Sequence, residues 1–350
     1  MRAALPEYVT GTESSAPGHR FALYCPVWNP RDWSKVKTQD TDVLKKIIGF
    51  HSNDTKLMNS LIVRQKNSAQ SLKDTLHTVY SKSVSPLVTG MGYEHPLENG
   101  FAFLNPYGLP YLPGSSIKGV LRRAAEELAE DGQIQDEDTS LLFGSDDVDN
   151  PSQGALNFWD VFPQVNQNTL HIEVMTPHYG DYYEGSVPPH DSGQPVPVVF
   201  LTIPPESQFC FHVQKIRKLP ESYLWKSLLE QIFKQAFDWL GFGAKTAIGY
   251  GYLEKDEEKE KQEKEVAAEA RKTVADNLCE KIKILADWGA VQSFAKQGLK
   301  ELDAKDYTSD LGQTLKQHVE QLPLSKKKLK KNPNLKAERL AEVEGWLKRF

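Results

Sequence analysis

Cysteine is scarce in this chain: three residues in 350, Cys25, Cys210 and Cys279, far apart and with no CxxC pair. That spacing argues against a disulfide framework and a zinc knuckle, and it fits a reducing cytoplasm. No run of about 18 apolar residues occurs, so no membrane-spanning helix is expected. The opening MRAALPEYVTGTESSAPGH lacks an apolar segment, so a secretory signal is not expected either. A GxGxxG dinucleotide fingerprint is missing, and no His or Cys pair stands at metal-ligand spacing. Neither a cofactor nor a metal is called for. The most telling absence is positional. No Lys or Arg lies between Arg123 and Lys215, an interval of 91 residues that carries 16 carboxylates.

What is present is an ordinary globular balance, 39% apolar and 25% charged, with length for about two domains. The formal net charge of −5 argues mildly against a nucleic-acid partner. Its distribution reverses that inference. Lys118, Arg122 and Arg123 stand before the acidic interval, and Lys215, Arg217, Lys218 and Lys245 after it. Charge this segregated can present a basic surface on an acidic protein. Acidic loops that only confer solubility are the alternative reading.

Apolar periodicity predicts the elements. Residues 20–33 read as a short strand broken by Pro26 and Pro30. Residues 42–74 read as helix, interrupted at Gly49 and 51–54. Strand signals follow at 77–83 and 86–90, then a Gly/Pro-rich turn region over 91–114. Residues 117–130 carry a one-faced helical stripe, with Ser115 or Ser116 as N-cap. After an acidic loop at 136–149, residues 155–162 and 170–176 look like paired strands. The stretch 177–197 is too long for a tight turn and reads as a protruding finger. Strands at 198–203 and 208–215, a helix at 221–240 and a strand at 246–253 complete the set. The order is that of an α+β, ferredoxin-like domain with long insertions. Residues 1–76 form an N-terminal extension, 77–254 the core, and 255–350 a charged helical C-terminal region.

Two segments carry chemistry. Gly241-Phe-Gly-Ala-Lys-Thr-Ala-Ile-Gly-Tyr-Gly251 brackets a lysine and a threonine with four glycines. Glycines allow a backbone to approach phosphates, while amides, a hydroxyl and an ammonium donate. It is not a nucleotide-binding P-loop: Trp239 and Ala244 occupy required glycine positions, and the helix precedes the loop instead of following it. A glycine-rich helix cap and turn is the plainer reading. The second segment, Pro110-Tyr-Leu-Pro-Gly-Ser-Ser-Ile-Lys-Gly-Val-Leu-Arg-Arg123, starts a helix with two serines and Lys118, an arrangement suited to an anion. Arg122 falls on the same side as Lys118.

Together with Leu87–Gly100, Leu142-Phe-Gly and Gly154-Ala-Leu-Asn-Phe-Trp-Asp160, these segments resemble the RAMP superfamily of CRISPR–Cas proteins. Within it, they are similar to the sixth-subunit family of type III-B (Cmr) effector complexes. The resemblance covers roughly 79–253. It implies an RRM-related fold in a non-catalytic subunit that binds guide RNA. Such a subunit caps the effector filament at the guide 3′ side, beside target RNA, a backbone RAMP subunit and the first Cmr subunit. The RNA contacts it implies are Ser115, Ser116, Lys118, Arg122, Arg123, Gly241, Gly243, Lys245, Thr246, Gly249 and Gly251. Phosphate contacts suit a guide-binding protein because they grip without reading sequence. The finger contributes His178, Tyr179, Tyr182, Tyr183 and His190 as stacking or neighbour contacts.

Two other functions stay open. A RAMP-type endoribonuclease would use a histidine as general acid/base, with His95, His178 and His190 as candidates. Asp181, Glu184 and Asp191 lie near the last two. Asp32, Asp40 and Asp42 are the acidic candidates, and each reads as a turn residue. A pure assembly protein would use its glycine segments only to shape interfaces, its acidic stretch meeting a basic neighbour. The run Lys326-Lys-Lys-Leu-Lys-Lys331 is a further RNA contact or a solvated face.

Overall fold

The computed structural model describes residues 2–6, 8–36, 40–145, 147, 151–176, 185, 197–297, 309–324, 330 and 332–347. The chain separates into two compact units, Met1–Glu257 and Glu258–Phe350. In the first, α1 (Pro17–Ala22), α2 (Asp40–Lys45) and α3 (Ser52–Ser71) precede β1 (Leu76–Ser83). The hairpin β2 (Phe103–Leu104) and β3 (Leu109–Pro110) leads to α4 (Gly114–Glu130) and α5 (Asp136–Phe143). The small pair β4 (Gly144–Ser145) and β5 (Ser152–Gln153) precedes β6 (Leu156–Phe158), β7 (His171–Met175), β8 (Val198–Thr202) and β9 (Gln208–Lys215). Next come α6 (Trp225–Gln235) and β10 (Leu253–Lys255).

The organising sheet has the order β10-β1-β9-β6, with every pairing antiparallel. Taken with α4 and α6, its chain order is strand, helix, strand, strand, helix, strand, and the fold class is mixed α and β. Period-2 alternation explains the sheet's inner face. Val79 pairs with Phe211 and His77 with Val213, so these side chains share one side. The 3.6-residue stripe of α4 (Ile117, Leu121, Ala124, Leu128) and that of α6 (Leu229, Ile232, Phe233) belong to the same apolar core. Residues 1–76 are no appendage, since Phe21, Val27, Val43, Leu44 and Ile47 join this core.

Several local expectations are corrected. Residues 17–22 are helical, with Pro17 at the first position where its missing N–H costs nothing. The predicted strand over 20–33 survives only as bridges at Trp28. The acidic stretch begins with a helix, α5, where Asp138 caps back to Gln135 and the first-turn acids complement the helix dipole. The segments at 155–162 and 170–176 do not pair together: β6 joins β9, and β7 joins β8 in a separate ribbon. The last strand starts only at Leu253. Residues 246–248 are a 3-10 turn, because Lys245, Gly249 and Gly251 take positive φ of 62°, 100° and 73°. The 177–197 finger, with His178, Tyr179, Asp181, Tyr182, Tyr183, Glu184, His190 and Asp191, lies outside the described residues. So does the lysine run, except Lys330.

The opposite face of the sheet holds a buried histidine. His212 Nδ1 is 3.0 Å from Thr78 Oγ1, its Nε2 is 3.5 Å from Cys210 Sγ, and its ring packs on Trp159. Burial pulls its pKa down to about 4. The unfolded chain, with an ordinary value near 6.5, therefore binds the extra proton between those limits. Stability is full above pH ~6.5 and falls by up to about 3 kcal/mol as pH drops toward 4. His77 and His95, also lowered by burial, act in the same direction. His212→Gln should flatten, without abolishing, the acid limb of the urea midpoint against pH. An equally steep limb would refute the assignment.

From Glu258 on, the second unit contains the rest of α7 (Glu257–Lys283), then α8 (Trp288–Gln297), α9 (Ser309–Gln321) and α10 (Leu335–Leu347). α9 supplies Leu311, Leu315 and Val319 at four-residue intervals to a separate core. Trp288 stacks on Trp346 at 5.6 Å and takes the Arg339 guanidinium over its ring at 4.9 Å. Arg339 and Trp346 are seven residues apart on α10, two turns along one face, so both reach Trp288.

Candidate nucleic-acid interface

The 241–251 loop lies beyond one end of the sheet, and the start of α4 lies beside β6. β1 runs toward Ser83, which pairs with Leu253 at the start of β10, while Lys82 pairs with Gln208 at the start of β9. The 241–251 loop leads into β10 and so occupies that end. The start of α4 lies against the strand end that follows β6, where Leu112 bridges Val161 and Gly114 meets Phe158 and Asp160. Backbone hydrogen bonds connect the two. Ala244 N–H donates to Val88 O (2.8 Å), Ala102 to Thr89 (3.0 Å), Tyr111 to Ala102 (3.3 Å) and Leu112 to Val161 (2.9 Å).

The glycines of the loop divide into two kinds. Gly243 and Gly251 sit against the loop's own supports, where a Cβ would lie 2.1 Å from Val88 O and 1.9 Å from Phe242 O. Phe242 is fully buried and packs on Phe211 and Phe237, so it anchors the loop to the core. Gly249 is exposed, with nothing within 4 Å of a Cβ. Its amide is spent on Thr246 O, as the amides of Ile248 and Tyr250 are on Lys245 O. The Gly249 amide is therefore no phosphate donor. The amides of Lys245, Thr246 and Ala247 have no acceptor among the described residues.

Lys245 is seated where a cation is stabilised without being neutralised. Its ammonium lies 5.5 Å from the Phe200 ring centroid and 3.4 Å from Met175 Sδ, both on the β7–β8 ribbon. The ribbon's carboxylate, Glu173, is engaged with Tyr250, whose phenol is raised by burial and by that neighbour. Lys118 makes no ion pair among the described residues.

The start of α4 differs from expectation. Ser115 and Ser116 are exposed and neither caps the helix; Pro113 holds the cap position. Gly114 is the first helical residue because only it fits there: a Cβ would meet Phe158 O at 2.2 Å. Its amide donates to Asp160 Oδ1 at 2.8 Å, so a carboxylate of the chain already meets the positive end of the helix. Arg122 and Arg123 are not open cations. Arg122 pairs with Glu126 at 3.1 Å, and Arg123 with Glu127 at 3.2 Å and Glu130 at 3.5 Å. Exposed pairs of this kind are worth ~0–1 kcal/mol and can exchange partners. Sequence reasoning missed Asp160 and the Phe200–Met175 seat, which only folding brings near.

The acid–base candidates among the described residues are committed elsewhere. His95 stacks on Phe21 at 3.7 Å, accepts from Leu97 N–H at Nδ1 (3.1 Å) and so donates from Nε2 to Phe21 O (2.9 Å). It orders the turn region. Asp32 accepts from the Ser34 amide and hydroxyl, which lower its pKa, as a turn aspartate does. Asp42 pairs with Lys45 in α2, and Asp40 begins that helix. No group of three or more metal-ligand residues occurs among the described residues.

Residues 82–254 match the model of the RAMP superfamily. A relative from Pyrococcus furiosus, described as CRISPR system Cmr subunit Cmr6, is 28% identical over 239 residues, covering 51% of this chain and 68% of the relative. One from Saccharolobus solfataricus, described as CRISPR system CMR subunit Cmr6, is 29% identical over 235 residues, covering 63% and 75%. A chain in the cryo-EM structure of the type III-B Cmr-beta complex bound to cognate target RNA is 23% identical. It overlaps 63% of this chain and 76% of its own length, with a TM-score of 0.42.

Proposed function

Since residues 82–254 belong to the RAMP superfamily, we propose that the chain is a non-catalytic RNA-binding subunit of a type III-B CRISPR (Cmr) effector. In this reading it caps the filament at the guide RNA 3′ side, next to a backbone RAMP subunit, the first Cmr subunit and target RNA. It acts in the cytoplasm in defence against foreign RNA. The 4-1-3-2 antiparallel sheet with α4 and α6 is read as the ferredoxin-like, RRM-related core. Residues 1–76 extend that core, and 255–350 form a helical C-terminal region.

One observation carries the RNA reading. Lys245, in the loop beyond one end of the sheet, and Lys118, in the first turns of α4, have no carboxylate partners among the described residues, while Arg122, Arg123 and Lys82 are paired. Cations placed there attract a phosphate backbone and read no bases, which a subunit serving many guides requires. Thr246 and the amides beside it supply further donors, with Gly241, Gly243 and Gly251 shaping the loop. Ser115 and Ser116 are exposed hydroxyls at the start of α4.

Equilibrium filter binding of the full chain to two single-stranded RNAs of unrelated sequence tests this. Affinities should agree within about threefold and fall together between 50 and 200 mM salt. No binding at low salt would leave a pure assembly role. Specific cleavage of either RNA would make the chain an endoribonuclease.

A further inference from the structure

β10 is an edge strand, and its outer side pairs with no strand among the described residues. Asp256 N–H donates to Tyr80 O and Val84 N–H to Tyr252 O, both at 2.9 Å. Strand alternation then turns the N–H and C=O of Leu253 away from β1. A groove of about 510 Å³ runs along this side, between β10 and the exposed flank of α6. Leu253, Glu254 and Lys255 all line it. Consecutive strand residues point to opposite faces, so a groove touched by three in a row lies at the strand's free edge.

The floor of the groove is apolar, made by Phe233, Phe237 and Leu253. The polar groups around it are mostly turned on one another: Lys234 on Asp238, and Lys255 on Glu230 at 3.0 Å. A small polar ligand would need convergent donors, which this lining does not offer. An open strand edge beside an apolar trough suits an extended polypeptide, its backbone pairing with β10 and alternate side chains entering the trough. Four carboxylates against two lysines line the groove, and even with Lys82 reaching Glu254 from outside it at 3.5 Å the acids stay in excess, which favours a segment with basic residues. Trp239, the next residue after Asp238, is 72% exposed.

We propose that the free edge of β10 and the adjoining groove dock an extended segment of a neighbouring subunit, with large apolar side chains flanked by Lys or Arg. This rests on the reading of the chain as a Cmr subunit.

The test reconstitutes the complex from the full chain, its co-encoded subunits and guide RNA, and reads incorporation by native mass spectrometry. Ser227 and Gln231 are exposed on α6 along the groove, so replacing them leaves the core intact. Gln231→Trp, which fills the trough, should lower incorporation roughly tenfold or more. Asp238→Lys, which reverses a wall charge, should lower it as well. Isolated Gln231→Trp should keep wild-type RNA affinity and salt dependence. Normal incorporation of Gln231→Trp would overturn the docking site while leaving the RNA reading intact. Stronger incorporation of Asp238→Lys would overturn the basic character of the occupant. An isolated wild-type dimer that Gln231→Trp converts to monomer would replace the neighbouring subunit with a second copy. If wild type itself neither binds RNA nor incorporates, the functional reading fails first.

Discussion

Gly243→Ala should destabilise the first unit by at least about 4 kcal/mol, in the range reserved for severe core defects. Gly249→Ala, six residues away, should cost only about 1–2 kcal/mol. Both glycines have positive φ, 91° and 100°, so both variants carry the strain of a left-handed alanine. They differ in what the new methyl meets. At Gly243 it would lie 2.1 Å from Val88 O, and Val88 is fully buried with that same oxygen bonded to Ala244 N–H. Neither strand can withdraw without losing the bridge that holds the loop to the sheet end. At Gly249 the methyl enters open space. Urea unfolding followed by tryptophan fluorescence measures the difference, and equal midpoints for the two variants would refute it. The contrast separates two roles that glycine content alone leaves merged. Gly243 and Gly251 are required by the fold, whereas Gly249 is where the loop can be altered with the fold intact.

That distinction marks where the sequence stopped being readable. The stripes of α4 and α6 are local, so 3.6-residue periodicity found both, along with the alternation of β1 and β9. Pairing is not local. Nothing near residues 170–176 states that they join 198–202 and not 155–162, and the long insertion between them hides the choice. The composition of 246–253 is strand-like throughout, yet the strand spans only Leu253–Lys255. Left-handed residues at 245, 249 and 251 instead coil the chain before Leu253. In the interface, the glycine loop and the start of α4 were both visible as motifs. Their partners were not: Asp160 is 46 residues from the amide it caps, and Met175 is 70 from Lys245. The charge reading was coarse for the same reason. Arg122 and Arg123 counted as cations along the chain, but the glutamates one turn later claim them in the helix.

Those pairings set the second large effect. Lys118→Ala with Lys245→Ala should weaken binding of single-stranded RNA at low salt by roughly tenfold per lysine. The slope of log affinity against log salt should fall by about 1.4, since each phosphate contact to a single strand contributes ~0.7. Lys245 should account for half or more. Its ammonium already rests on the Phe200 face and Met175 sulfur, so less side-chain freedom is lost on binding than at an unsupported lysine. The control removes one charge pair without changing net charge: Arg123→Gln with Glu127→Gln should leave the slope unchanged, because that arginine is compensated in the free protein. A double lysine variant with the parent's slope would exclude both residues as phosphate contacts. A slope that falls only in the arginine–glutamate variant would move the RNA to the flank of α4. In that case the exposed ion pairs open on binding, and the cost of breaking them, at ~0–1 kcal/mol each, is small enough to permit it.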